Sequence, residues 1–182
     1  DVLQVLKASM DLPEYRRVDI SGEALDGLNG ERAVRDRLET LLLLTGGHGK
    51  YWLGGDLGYT NDPTELLLFE EDEHEVLSLV LRVHAEHVAY PVISDLIALI
   101  DRVYRPLGLG IDRGGNGAAV EQELQRLDKF RDNHFTGRLV GYDFGGSISL
   151  GQDEMGKPIK KRTKEQMTTL INKALNAGKL RL

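Results

Sequence analysis

Cysteine is absent from the 182-residue chain. That excludes a disulfide framework and a thiolate metal site, so any metal must rest on oxygen or imidazole ligands. The same absence fits a reducing cytoplasm. Long apolar runs are also missing, and no stretch is long enough to span a bilayer. No charged-then-apolar signal segment opens the chain. It begins with Asp1 rather than methionine, and the expectation is a piece of a longer protein with both ends cut. What is present, 41% hydrophobic residues over this length, suits one soluble globular domain with a core of ordinary size.

The net charge of -6 hides an asymmetry. Residues 1–100 carry 8 Lys+Arg against 19 Asp+Glu, whereas residues 101–182 carry 15 against 10. The densest basic stretch is KPIKKRTK at 157–164, where Lys157, Lys160, Lys161, Arg162 and Lys164 could grip phosphates by counterion release. A solvated loop before a helix is the alternative. GGHGKY near residue 50 lacks the first glycine of a Walker loop and has Tyr51 where Ser or Thr should hold magnesium, so it is rejected as a nucleotide site.

Residues 1–50 are expected to be an irregular and helical lead-in packed on the domain. Within them ERAVRDRLETLLLL repeats Val34, Leu38, Leu41 and Leu42 at helical spacing. From residue 51 the pattern is orderly. Short apolar runs at 51–56, 65–70 and 76–84, joined by tight turns, predict an antiparallel meander. YPVISDLIALIDRVYRPL then puts Ile93, Leu96, Ile97, Ile100, Val103 and Tyr104 on one helical face, ended by Pro106. LGLGID at 107–112 reads as a strand, GGNGAAVEQELQRLDKF as a helix with Val120, Leu124 and Leu127 inward, and GRLVGYD at 137–143 as a strand. SISLGQDEMGKPIKK reads either as a hairpin with Gln152 to Gly156 at its tip or as a disordered, exposed loop. The last helix opens on a capping box, Thr163 to Gln166, is expected to bury Met167, Leu170, Ile171 and Ala174, and stops at Gly178.

Three antiparallel strands followed by two crossover units give an α/β fold with a mixed five-stranded sheet, and right-handed crossovers give the order 3-2-1-4-5. Strands 51–56 and 107–112 then run parallel. Asp56 and Asp112 end them at the point where connectivity reverses, which is where open α/β sheets place their sites. Two carboxylates forced together repel unless a cation neutralises them. Magnesium or manganese does so with oxygen ligands alone. The competing reading is that each Asp-x-Gly merely starts a turn.

These residues resemble a known family. LGGDLGYTNDPTELLLF, with its Asp-x-Gly and following Asp-Pro-Thr, and YRPLGLGIDRGGNGAAVEQEL are similar to the nuclease domain of the large terminase subunit of tailed bacteriophages, in the ribonuclease H-like superfamily. The resemblance covers about residue 51 to the end, a nuclease domain of 51–182 with helices on both faces of its sheet. It implies an endonuclease that cuts concatemeric double-stranded DNA during viral genome packaging with little sequence preference. Its first and second catalytic acids fall on Asp56 and Asp112, holding two Mg2+ or Mn2+ ions for hydrolysis without a covalent intermediate. It further implies an upstream ATPase domain, portal and small-terminase partners, and the cytoplasm of an infected bacterial host. The family's third acid lies on a later helix, expected beyond Leu182, the alternative being that this form binds only part of its metal complement.

Further candidates are weaker. Asp143 ends the fifth strand and could face the same cleft as a metal ligand, with a plain turn as alternative. Asp62 before Pro63 reads as a turn former. His84 and His87 fall on opposite faces of a strand and read as surface residues. Arg113 could contact phosphate or make an outward salt bridge, and the hairpin lysines could clamp DNA or sit on an exposed loop. Rival functions are a junction resolvase or transposase core, an actin-like or sugar-kinase ATP-binding domain suggested by GGDLGYT, and a non-enzymatic docking module.

Overall fold

The computed structural model describes residues 16–22, 36, 49–58, 62–114 and 117–182. The helix expected around Val34 to Leu42 lies outside the described residues, Asp36 excepted. Nine strands are described: β1 (Arg16–Ser21), β2 (Lys50–Asp56), β3 (Thr64–Glu71), β4 (Leu77–Glu86), β5 (Gly108–Asp112), β6 (Leu139–Tyr142), β7 (Ser147–Gln152), β8 (Pro158–Arg162) and β9 (Leu180–Arg181). Between them run α1 (Tyr90–Tyr104), α2 (Gly117–Leu124), the short α3 (Leu127–Phe130) and α4 (Thr163–Asn176).

Alternation along β2, β3, β4 and β5 sends one set of side chains to a single face. Leu53, Leu66, Leu68, Leu81, Val83, Leu109 and Ile111 are each no more than 4% exposed there. They meet Ile93, Ile97 and Ile100 of α1 and Val120 and Leu124 of α2 in one core. The Tyr51 and Tyr104 rings close its far end edge to face, 5.1 Å apart. Seven strands rather than five make the sheet, in the order β1-β4-β3-β2-β5-β6 with β9 also on β4. The five expected strands keep their relative order; β1 and β9 extend it along the outer edge of β4. β1 comes from the expected lead-in and runs parallel to β4, with Ile20 buried. Apolar alternation in RRVDIS is limited to Val18 and Ile20, too short a signal to announce a strand.

Three expectations about helices are corrected. Both crossovers move in the same direction across the sheet, so α1 and α2 share one face and touch one another, and neither lies on the other face. α4 packs on β8 and β9. It leaves Leu170 and Ile171 53% and 46% exposed, against the expectation that they are buried. The helix expected from Gly114 to Phe130 breaks at Arg126, whose backbone is extended while its guanidinium bridges Glu123 and Asp128. The predicted hairpin is present as the antiparallel pair β7–β8, separate from the main sheet. At its tip Asp153 Oδ1 accepts the amides of Met155 and Lys157.

Candidate active site

The register of the sheet builds the site. β2 and β5 run parallel with Gly54 opposite Gly110 and Gly55 opposite Ile111, so the next residues, Asp56 and Asp112, come to adjacent positions at the carboxyl ends of both strands. Adjacent strands lie about 4.8 Å apart. Asp56 also pairs with Glu65 on β3, Glu65 with His84 on β4, and Asp112 with Tyr142 on β6. One row therefore crosses five strands on the face away from α1 and α2: His84, Glu65, Asp56, Asp112, Tyr142.

Charge in that row is concentrated. Asp56 as a residue is solvent-accessible, yet partial burial of its carboxyl raises its pKa above the ordinary 3.8, and the charges of Asp112, Asp62 and Glu65 raise it further. An acid surrounded by three others is in a field that favours a proton or a cation. Asp112 Oδ1 accepts the Gly114 amide at 2.8 Å, the turn contact that the competing reading of Asp-x-Gly expects, and this bond fixes the carboxyl. Close packing demands glycine at residue 117, since a Cβ there would come within 1.8 Å of the Asp112 carbonyl oxygen. The start of α2 is thereby pressed against the end of β5.

Glu65 is differently placed. Arg82 donates to it twice, Nε to Oε2 at 2.9 Å and Nη2 to Oε1 at 2.7 Å, and His84 Nδ1 lies 2.7 Å from Oε1. The Arg82 hydrogen bonds hold the Glu65 pKa down, and the bond to Glu65 pushes that of His84 up. His84 Nε2 reaches Glu86 at 3.1 Å. The sequence reading places His84 at the surface and singles out neither Glu65 nor Arg82. Alternation within β3 and β4 is the signal that could find them, since it puts three polar side chains on the face that carries Asp56.

The other candidates separate from the pair. Asp143 lies one residue past Tyr142, and its Oδ1 accepts the amides of Gly145 and Gly146 at 3.0 Å each, the turn role weighed for it. Asp62 sits in the loop before β3 and acts on Asp56 by charge. Arg113 pairs with Glu121 of α2 at 2.7 Å, so the outward salt bridge is the observed state. Lys157, Lys160 and Arg162 are exposed on the β7–β8 hairpin, and Lys161 Nζ donates to Thr169 at 3.1 Å. Among the described residues no three His, Asp or Glu side chains are gathered as a ready ion cage. The donor set at Asp56 and Asp112 still suits magnesium, which binds through one or two carboxylates, retained waters and substrate phosphates.

Among solved structures, the chain is similar to a bacteriophage large terminase. The crystal structure of the HK97 bacteriophage large terminase shares 18% identity with it at a TM-score of 0.41, over 80% of this chain and 33% of that one. The chain thus spans about a third of that terminase. No protein-family model matches the chain, and no curated protein matches it. The geometry of the acid pair, rather than this distant likeness, carries the functional reading below. Among the described residues no helix is long and apolar enough to cross a membrane.

Proposed function

We propose that the chain is a metal-dependent DNA endonuclease of the large-terminase kind, hydrolysing phosphodiester bonds of double-stranded viral DNA during packaging with little sequence specificity. The observation that carries it is the in-register pair Asp56 and Asp112 at the carboxyl ends of adjacent parallel strands, with Asp56 driven toward neutralisation. Magnesium or manganese bound there would supply a water of lowered pKa and offset charge on the phosphate. Asp56 and Asp112 would hold the cation between them, with the Gly114 amide fixing the Asp112 carboxyl through Oδ1. Both Glu65 oxygens are engaged by Arg82 and His84, so Glu65 adds negative potential without serving as a ligand. The exposed basic residues of the β7–β8 hairpin would neutralise backbone phosphates. An upstream ATPase domain, a portal and a small terminase subunit belong to the same proposal, on the strength of the sequence resemblance.

Plasmid nicking with and without manganese tests this reading. We expect cutting only with the ion, and none in Asp56→Ala or Asp112→Ala. Manganese-dependent nicking that survives both substitutions overturns it. Branched against linear DNA substrates separate a junction resolvase, and ATP binding would instead favour the kinase-like reading of GGDLGYT.

A further inference from the structure

The face that carries the acids has a second feature. Its positions on β2 read Trp52, Gly54, Asp56, and on β5 Gly108, Gly110, Asp112. Three glycines on two adjacent strands give the strip beside the two carboxylates no side chains of its own; two of them lie under rings and one, Gly54, is open. Above Gly54 no atom of the described residues lies within 4 Å of where a Cβ would stand. Each β5 glycine instead supports a ring from a neighbouring strand. A Cβ at Gly108 would lie 2.9 Å from the Trp52 indole, and one at Gly110 would lie 3.2 Å from the Tyr142 ring. The two residues are 40% and 41% exposed, so each keeps a substantial part of its surface open to solvent. Trp52 is held in place by its indole N–H, which donates to Glu71 at 2.8 Å. Tyr142 sits beside Asp112 in the same row.

We infer that this glycine-floored trough seats an unpaired nucleotide of the DNA strand being cut, drawn out of the duplex beside the scissile phosphate, with Tyr142, and beyond it Trp52, offering ring faces to its base and the next. The inference rests on the endonuclease reading and adds substrate-contact residues to it. The trough's shape and chemistry favour this occupant. The opening above Gly54, between the two rings and the acids, admits a flat group close to the sheet, and aromatic faces stack any base regardless of sequence, as a cutter with little sequence preference needs. The trough runs from Trp52 to Asp56 over about 13 Å, continuous with the acids that would act on the phosphate.

The test uses the full chain with Asp56→Asn and Asp112→Asn, which cannot cut and removes the carboxylate repulsion. The probe is a DNA duplex whose single-stranded end carries 2-aminopurine. We expect its fluorescence to be quenched on binding. Tyr142→Ala should abolish the quench and weaken binding about tenfold, Tyr142→Phe should preserve both, and Gly110→Ala should reproduce the loss by displacing the ring. Circular dichroism and thermal midpoints establish that each variant is folded. Absence of quench in the parent, or quench and affinity unchanged in both Tyr142→Ala and Gly110→Ala, overturns the inference. The two proposals fail separately. Manganese-dependent nicking by the unsubstituted chain without any 2-aminopurine quench sinks only the trough. Ring-dependent quench without nicking sinks only the endonuclease.

Discussion

At Asp56 the sign of the pKa shift makes a testable statement about stability. A carboxylate whose folded pKa lies above its unfolded one costs nothing when protonated in both states, and its cost grows as pH rises through those values. Asp56→Asn is therefore expected to raise the thermal midpoint at pH 7 and to change it little near pH 3, read by calorimetry at both pH values. Millimolar manganese should raise the midpoint of the parent chain and leave that of Asp56→Asn with Asp112→Asn unmoved, because only the parent offers the ion its charged pair. The Glu65–His84 contact has the opposite profile. Glu65, held below its ordinary 4.5, contributes stability that is lost as pH falls through its folded pKa. His84, held above its ordinary 6.5, contributes stability present below that value and lost as pH rises through its folded pKa. His84→Gln should erase the decline on the alkaline side while leaving the acid limb, measured as midpoint against pH for both proteins.

Among elements, the end of α1 depends on a buried charge that apolar periodicity does not reveal. Asp101 is 0% exposed, and it receives Arg138 Nη1 at 2.8 Å and Asn133 Nδ2 at 2.9 Å, tying α1 to the segment before β6. Removing Arg138 leaves the buried Asp101 charge offset only by the Asn133 amide and by Arg105 at 3.8 Å, at a cost of up to about 3–5 kcal/mol. Arg138→Met should lose that much in denaturant unfolding, and Arg138→Met combined with Asp101→Leu should recover part of it. The hairpin makes a different prediction, because its basic side chains stand in solvent. Lys157→Glu with Lys160→Glu should leave the thermal midpoint within error. It should weaken DNA binding and flatten its salt dependence by about one logarithmic unit for each phosphate no longer neutralised. Fluorescence anisotropy across a salt series reads both quantities.

For the molecule as a whole, the outer edge of β4 is the exposed flank of the sheet, and β1 covers it along Leu81 to Glu86. Uncovered strand edges pair with other chains. A chain lacking residues 1–21 should lose thermal stability and self-associate, seen by size-exclusion chromatography against the full chain. The helical layer lies on the opposite side from the acids. Its cavity of about 290 Å³, lined by Asp95, Arg102, Lys129 and Asn133 among others, belongs to that layer and not to the site.

Most of the strands and the acid pair were legible in the amino-acid sequence. Alternation in YWLGGD and TELLLFE, helical spacing in VISDLIALI, and glycine after each aspartate are local signals, set by periodicity and turn chemistry that the chain carries wherever it folds. Glu65, Arg82 and Tyr142 were not legible, because each matters only through the residue that register sets beside it, and register is a property of strand pairs. The same holds for Asp101, whose partner lies 37 residues onward, and for Leu170 and Ile171, whose helical spacing is correct but which stay about half exposed. The sequence alone therefore determined which segments become strands and helices and where two carboxylates end them, since those follow from neighbours along the chain. Only the tertiary structure decided which face those carboxylates share, what stands beside them and which apolar stripes stay exposed, because long-range hydrogen bonding and burial, not local preference, choose among the alternatives.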